Sequence, residues 1–141
     1  AQESRGLGDV YKRQLKELAK DDDRIIFIGF VQGQLLDELY SNAYIYTLPS
    51  DLEGMPLSLL EAMSYGNCCL VSDISECTEV VENKALIFKK SDVDELREKL
   101  QDACDHPEKV MEMKAQATDF ICKKYNWDEV VKETMKLYMR K

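Results

Sequence analysis

The stretch AYIYTLPSDLEGMPLSLLEAMSYGNCCLVSD, residues 43–73, holds two short apolar runs on either side of a helical segment. Residues 43–50 and 68–73 are apolar runs of strand length, which favours strands. Residues 56–66 between them begin with a proline, which suits the first turn of a helix, and end with a glycine, which suits its carboxyl end. The stretch therefore predicts a strand, a helix and a second strand in that order.

The same alternation continues on both sides of this stretch. Further strands are predicted at residues 24–30 and 85–89, and further helices at residues 9–19, 35–40 and 76–82 and within residues 92–140. Short apolar strands alternating with helices predict an α/β fold with an open parallel, Rossmann-like sheet flanked by helices. Ligands of such sheets bind outside the carboxyl ends of the strands, which marks the loops at residues 29–33, 49–56 and 72–76.

The predicted carboxyl-terminal helices carry their own start signals. Ser91 and Asp94 form a capping-box pattern, and Asn126 and Glu129 form a second pattern of the same spacing. Apolar side chains recur at helical spacing after each signal, and we interpret these stripes as packing faces. In the last helix the stripe consists of Trp127, Val131, Met135 and Tyr138.

Composition limits the classes of protein that this chain can represent. Its 141 residues suit a single domain, which we place at residues 9–141, with residues 1–8 as a tag or fragment remnant. The net charge of −8 argues against nucleic-acid binding, because phosphate backbones are held by clustered Lys and Arg. No apolar run approaches the roughly 20 residues of a membrane span, and nothing resembles a signal peptide. We expect a cytoplasmic location.

The cysteines support a reducing compartment. Five cysteines are present, an odd number, and none of them forms a CxxC pair. The chain has one histidine, so a zinc site or a disulfide framework is not indicated. Cys68 and Cys69 lie in a short apolar run, where reduced cysteine behaves as a small hydrophobic residue.

The loop before the central helix has the features of an anion site. Main-chain amides at a helix start lack intrahelical partners and carry the positive end of the helix dipole. Gly54 lets the backbone come close to a ligand because it has no side chain. Phosphate is the obvious anion, although neither a Walker A pattern nor GxGxxG is present.

Two carboxylates, Glu53 and Glu61, flank this predicted anion site. They would repel a phosphate, but a carboxylate accepts hydrogen bonds from two neighbouring hydroxyls, as on ribose or a hexose. A nucleotide-sugar offers both diols and phosphates. A solvated loop charge at Glu53 and a charge favoured by the helix dipole at Glu61 would satisfy the same pattern. The residues on either side of Glu61 are expected to be buried, and burial of an unpaired carboxylate among them would cost free energy.

The segment PSDLEGMPLSLLEAMSYGNCCLVSD, residues 49–73, resembles the signature of retaining GT-B glycosyltransferases of the family 4 type. That signature has two glutamates separated by seven residues, the EX7E motif, and Glu53 and Glu61 hold this spacing. The segments RIIFIGFV, ECTEVVE and YNWDEVVKETMKLY resemble other parts of the same family. The resemblance covers about residues 9–140.

The resemblance implies roles for the residues of the motif. Glu61 would bind the ribose of a nucleotide-sugar donor, and Glu53, at the catalytic position, would contact the transferred sugar. Main-chain amides would hold the diphosphate along a donor-binding segment that comprises Gly54, Met55, Pro56, Leu57 and Ser58. The nucleobase would lie beside Gly29, Phe30 and Val31. The family takes the nucleotide-sugar as its substrate and needs neither a metal nor a cofactor.

The resemblance also implies that this chain is a fragment. It would be an amino-terminally truncated carboxyl-terminal domain of a GT-B fold, without the amino-terminal domain that binds the acceptor. The parent enzyme would transfer a hexosyl-type unit to an unidentified acceptor, and any membrane association would be peripheral and through the absent domain. The fragment alone would be inactive. The family's GFG segment is GMP here, at residues 54–56, which fixes φ at the proline.

Two alternatives come from other classes of protein. The first is a non-catalytic nucleotide-binding or interaction module, such as a receiver domain. A receiver needs an acidic cluster after a strand, whereas the acidic run at residues 21–23 precedes one. The second is a GT-B epimerase or phosphorylase, which would share the architecture without favouring this motif.

Overall fold

A computed structural model of the chain describes the backbone of residues 2–139 and the side chains of residues 10–139. Its elements, in chain order, are α1 (Gln2–Leu18), α2 (Gln34–Asn42), β1 (Tyr46–Leu48), α3 (Leu57–Ser64), β2 (Cys69–Ser72), α4 (Ser75–Val81), β3 (Leu86–Phe88), α5 (Val93–Asp105), α6 (Pro107–Lys124) and α7 (Trp127–Met139). The chain divides into two compact units, one that extends to Leu35 and one that begins at Leu36.

The second unit contains a parallel sheet of three strands in the order β1-β2-β3. β1 pairs with β2 from Tyr46 opposite Cys69 to Leu48 opposite Val71. β2 pairs with β3 in the same parallel sense. Helices α3 and α4 form the crossovers that neighbouring parallel strands require. The predicted open parallel α/β sheet is confirmed, and the carboxyl ends of its strands lie along one edge.

The core of this unit lies around β2, whose four residues are all buried. One face of α3 contributes Leu59, Ala62 and Met63, each of them fully buried. Cys68 and Cys69 are fully buried as small hydrophobic residues, as the sequence predicted. Because β2 is covered completely, its residues form a nearly continuous apolar run rather than an alternating one.

A Schellman motif ends α3 and turns the chain into β2. The Gly66 amide donates to the Met63 carbonyl at 3.0 Å, and the Asn67 amide donates to the Ala62 carbonyl at 3.1 Å. Gly66 has a φ of +77°, the left-handed conformation that this motif requires. A Cβ there would lie 3.3 Å from the Thr118 hydroxyl on α6, so glycine also permits the close packing of α3 against α6.

The predicted strand at residues 24–30 is wrong. This segment has no regular secondary structure, and its apolar side chains are exposed, with Ile26 at 76% and Phe30 at 87%. Strand main-chain groups need a neighbouring strand to pair with, and no strand among the described residues pairs with this segment. Instead, the Arg24 guanidinium donates twice to the Asp22 carboxylate, at 2.8 and 2.7 Å, and closes a turn after α1.

The predicted capping box at Ser91 is also wrong. Asp92 is the residue that caps α5, because its carboxylate accepts a hydrogen bond from the Glu95 amide at 3.0 Å. Ser91 has a φ of +61° and donates its hydroxyl to Asp51 at 2.8 Å. The second pattern is confirmed at Asn126, whose side chain accepts a hydrogen bond from the Asp128 amide at 2.8 Å, whereas the Glu129 carboxylate pairs with Lys132.

Helix α7 differs from the packing face that its periodicity predicted. Trp127 is 80% exposed and Tyr138 is 81% exposed, and no residue of the helix is buried. The apolar stripe exists, but in this chain it faces solvent. Helix α1 begins at Gln2 rather than at residue 9. The interpretation of residues 1–8 as a remnant concerns side chains outside the described part of the chain and stays a prediction.

Candidate functional site

The start of α3 is shaped by Pro56, which stands one residue before the helix. Pro56 has φ −76° and ψ 76°, and the Leu57 amide donates across it to the Met55 carbonyl at 2.8 Å. These angles and this hydrogen bond define an inverse γ-turn centred on Pro56. The Leu59 and Leu60 amides then donate to the Pro56 carbonyl, which begins the helix.

This turn corrects the predicted set of phosphate-binding amides. Pro56 has no N–H, and the Leu57 N–H already donates within the γ-turn. Gly54, Met55 and Ser58 keep amides for which the described residues provide no acceptor. The position that a Cβ of Gly54 would occupy has no atom within 4 Å, so open space borders this backbone. Three of the five predicted positions therefore remain able to donate to an anion.

Glu53 is held at the carboxyl edge of the sheet by a serine. The Ser50 hydroxyl donates to Glu53 Oε1 at 2.5 Å, and the Glu53 side chain is half-buried. The Ser50 carbonyl in turn accepts a hydrogen bond from the Ser72 hydroxyl at the end of β2. The loop after β1 therefore contacts the carboxyl end of β2, and this contact holds the serine that bonds Glu53.

Glu61 occupies a different environment from the one predicted. Its neighbours Leu59, Ala62 and Met63 are fully buried, but Glu61 itself is exposed because it lies on another face of α3. The burial cost expected from the sequence therefore does not arise. Glu61 Oε2 accepts a hydrogen bond from the Tyr40 hydroxyl at 3.2 Å. Its other carboxylate oxygen accepts none from the described residues.

The charges of the two carboxylates both affect the pKa of one phenol, that of Tyr46 on β1. Burial raises the pKa of Tyr46, and the negative charges of Glu53 and Glu61 add to that rise. The Tyr46 hydroxyl donates to the Ser58 hydroxyl at 2.8 Å and so connects the strand to the first turn of α3. Ser58, one of the predicted donor-binding residues, is thus tied to β1.

Three tyrosines form a cluster on the Glu61 side of α3 that the sequence did not indicate. The Tyr40 and Tyr65 rings stack with centroids 5.4 Å apart, and the Tyr40 and Tyr46 rings lie 6.0 Å apart. The Tyr65 hydroxyl donates to Asp37 at 2.6 Å. The available signal was Tyr40 itself, since a tyrosine on an otherwise leucine-rich helix face needs a partner for its hydroxyl.

An apolar cleft of about 590 Å³ adjoins the same helix start and was also not predicted. Its lining includes Met55, Leu57, Leu60 and Glu61 from the start of α3, and Tyr125 and Trp127 from the segment that leads into α7. The cleft is lined by apolar side chains from both α3 and α7.

Gly29, Phe30 and Val31, the predicted nucleobase loop, belong to the first unit. Gly29 has a φ of +69°, which favours glycine at this position, and Phe30 is exposed. Because this loop and the start of α3 belong to different units, the placement of the loop beside a nucleobase stays a prediction.

No group of three or more His, Cys, Asp or Glu side chains among the described residues is arranged to hold a metal ion. Among the described helices, none has the length and apolar character needed to cross a bilayer.

The fold and the loop before α3 define the class of protein as a GT-B-type α/β domain. The structure superimposes on sucrose-phosphate synthase from Thermosynechococcus elongatus with a TM-score of 0.79 and 22% identity, over 92% of this chain and 34% of that chain. The profile of the family described as glycosyl transferases group 1 matches residues 7–120. The chain belongs to the glycosyl transferases group 1 family.

Relatives of known sequence agree with this assignment. The chain is 30% identical to O-antigen chain mannosyltransferase B of Escherichia coli over 138 residues, which are 95% of this chain and 35% of that protein. It is 27% identical to the uncharacterized glycosyltransferase MJ1607 of Methanocaldococcus jannaschii over 82% of this chain and 30% of that protein. The chain spans about a third of the length of these relatives.

Proposed function

We propose that this chain is the donor-binding part of a retaining glycosyltransferase of the family 4 type. The observation that carries the proposal is the pair Glu53 and Glu61 on either side of free amides at the start of α3, within the segment that matches the family. The diphosphate of a nucleotide-sugar would accept hydrogen bonds from Gly54, Met55 and Ser58. The positive end of the α3 dipole would add to that attraction.

The two carboxylates would divide the hydroxyls of the donor between them. Glu61, exposed and with one oxygen free, is suited to the ribose hydroxyls. Glu53, fixed by Ser50 at the sheet edge, is suited to the transferred sugar. Several relatives are named mannosyltransferases, which supports a hexosyl unit as the transferred group.

The proposed reaction is a same-face displacement through an oxocarbenium-like state. The bond from the anomeric carbon to the diphosphate oxygen breaks, and the acceptor oxygen bonds to that carbon on the same face. The acceptor proton leaves on the departing diphosphate. Backbone donors would stabilise the leaving group in place of a metal ion. We place the activity in the cytoplasm because the cysteines suit a reducing compartment.

Nucleotide binding should stabilise the folded chain. We expect UDP, GDP or ADP at 100 times its dissociation constant to raise the free energy of unfolding by about 2.7 kcal/mol. Glu61→Gln should raise the dissociation constant of the nucleotide at least fivefold, which corresponds to about 1 kcal/mol of binding free energy, because the charged acceptor of the ribose hydroxyls is lost. Urea denaturation at several nucleotide concentrations measures both effects.

A matched variant separates the proposed site from a general charge effect. Glu112→Gln removes an exposed carboxylate on α6 and should leave the nucleotide response unchanged. If none of the three nucleotides stabilises the wild type, the proposed donor site is wrong. If the response persists fully in Glu61→Gln, the ribose role of Glu61 is wrong.

We also propose that the 141-residue chain alone does not transfer sugar. Its relatives are about three times as long, and the acceptor would be bound by the part of such a protein that this chain does not match. Incubation with radiolabelled nucleotide-sugars and a mixture of sugar and lipid-linked acceptors should give no labelled product above the enzyme-free rate. Labelled product that disappears in Glu53→Gln would contradict this proposal.

A further inference from the structure

Tyr40 on α2 makes a direct contact with the carboxylate that we assign to ribose. Its hydroxyl lies 3.2 Å from Glu61 Oε2 and 3.4 Å from the Ser58 carbonyl. Both distances exceed the range of about 2.5–3.0 Å that is usual for O–H···O hydrogen bonds, and the Glu61 carboxylate is the closer acceptor and the charged one. The phenol therefore bonds one oxygen of a carboxylate that solvent would otherwise leave free to rotate.

The position of Tyr40 is itself fixed from two sides. Its ring stacks on that of Tyr65 with an interplanar angle of 22°, and Tyr65 is tied to Asp37. The buried Asn67 amide donates to the Tyr40 carbonyl at 2.9 Å and to the Ala62 carbonyl at 3.1 Å. These hydrogen bonds join α2 to α3, so the phenol approaches Glu61 from a rigid base.

The protonation state of the phenol suits a donor. Burial, followed by the nearby Tyr46 and Glu61, raises the pKa of Tyr40 to about 12. The hydroxyl therefore keeps its proton throughout the neutral range. Because the phenol is neutral, it adds no charge to compete with a bound diphosphate.

We propose that Tyr40 is a positioning residue that orients Glu61 for the ribose hydroxyls of the donor. By bonding Oε2, it holds the carboxylate in one rotamer and leaves Oε1 directed to the ligand. This inference rests on the proposed function. It predicts that Tyr40 matters only for ligands that carry the hydroxyls that Glu61 binds.

The test compares nucleoside diphosphates with and without ribose hydroxyls. Dissociation constants of UDP, GDP and ADP and of their 2′,3′-dideoxy forms are measured by calorimetry for the wild type, Tyr40→Phe and Glu61→Gln. Tyr40→Phe keeps the stacked ring. It should raise the dissociation constant of the ribonucleotide about three- to tenfold and leave that of the dideoxy form unchanged. In a Glu61→Gln background, the same substitution should have no further effect.

Tyr44→Phe is the matched control, because it removes a phenol that donates to the Ala103 carbonyl at 2.7 Å and lies outside the tyrosine cluster around Glu61. It should bind both forms like the wild type. Equal weakening of both forms by Tyr40→Phe would show a merely structural role and overturn the inference. Unchanged binding in Tyr40→Phe, with Glu61→Gln still weakened, would overturn the inference and leave the proposed function standing. A wild type that binds none of the nucleotides would overturn both.

Discussion

Leu59→Ala should lower the free energy of unfolding by about 3–5 kcal/mol, a large fraction of the stability of a domain of this size. Leu59 lies in the first turn of α3 and is fully buried in the core around β2. Its removal loses apolar burial and leaves a cavity that the surrounding residues cannot fill completely. Because Leu59 follows Ser58 directly, the same packing holds the candidate anion site in place.

Leu57→Ala on the same helix provides the comparison. Leu57 is 63% exposed, so the identical chemical change should cost about 0.5 kcal/mol or less. Urea denaturation of both variants followed by circular dichroism measures the two values. Equal losses in the two variants would mean that α3 does not pack on the sheet through Leu59, and the register of the helix would then be wrong.

The central strand–helix–strand unit could be predicted because its signals are local. The proline before α3 and the glycine after it both act within one turn of the chain, and the structure places a γ-turn at Pro56 and a Schellman motif at Gly66. The apolar run of β2 is similarly unambiguous, because a strand buried on both faces needs no alternation. These elements are determined by residues within a few positions of each other.

The failures concern segments whose structure depends on a partner. Residues 24–30 have the composition of a strand, but a strand forms only when another strand accepts its main-chain hydrogen bonds. The stripe on α7 has the periodicity of a packing face, yet Trp127 and Tyr138 remain exposed. Periodicity shows which residues share a face and cannot show whether anything covers that face.

The candidate site was predictable in its carboxylates and not in their supports. The spacing of Glu53 and Glu61 is visible in the sequence, and the charges of both contribute to raising the pKa of Tyr46. Their partners Ser50 and Tyr40 come from the end of β1 and from α2. Contacts between separate elements depend on packing, so nothing within the motif could indicate them.

Raising the pH from 8 to 10 should cost roughly 2 kcal/mol of unfolding free energy for each of two buried thiols. Burial raises the pKa of Cys68 to about 11 and that of Cys77 also to about 11, and both side chains are inaccessible to solvent. In the unfolded chain a thiol has a pKa of about 8.5. Above that value the unfolded state loses protons that the folded state keeps, so stability falls until the pH approaches 11.

Removal of one of these thiols should reduce the loss of unfolding free energy between pH 8 and pH 10 by the amount that this thiol contributes. Cys77→Ala is expected to be less stable at pH 7, because it leaves a small cavity, but to show a shallower decline between pH 8 and pH 10. Val81→Ala on the same helix also leaves a cavity in the core but removes no thiol, so its decline should match that of the wild type. Urea midpoints under reducing conditions at each pH provide the measurement. Parallel declines in Cys77→Ala and the wild type would show that Cys77 titrates alike in the folded and unfolded chains, and the burial of α4 against the sheet would then be incorrect.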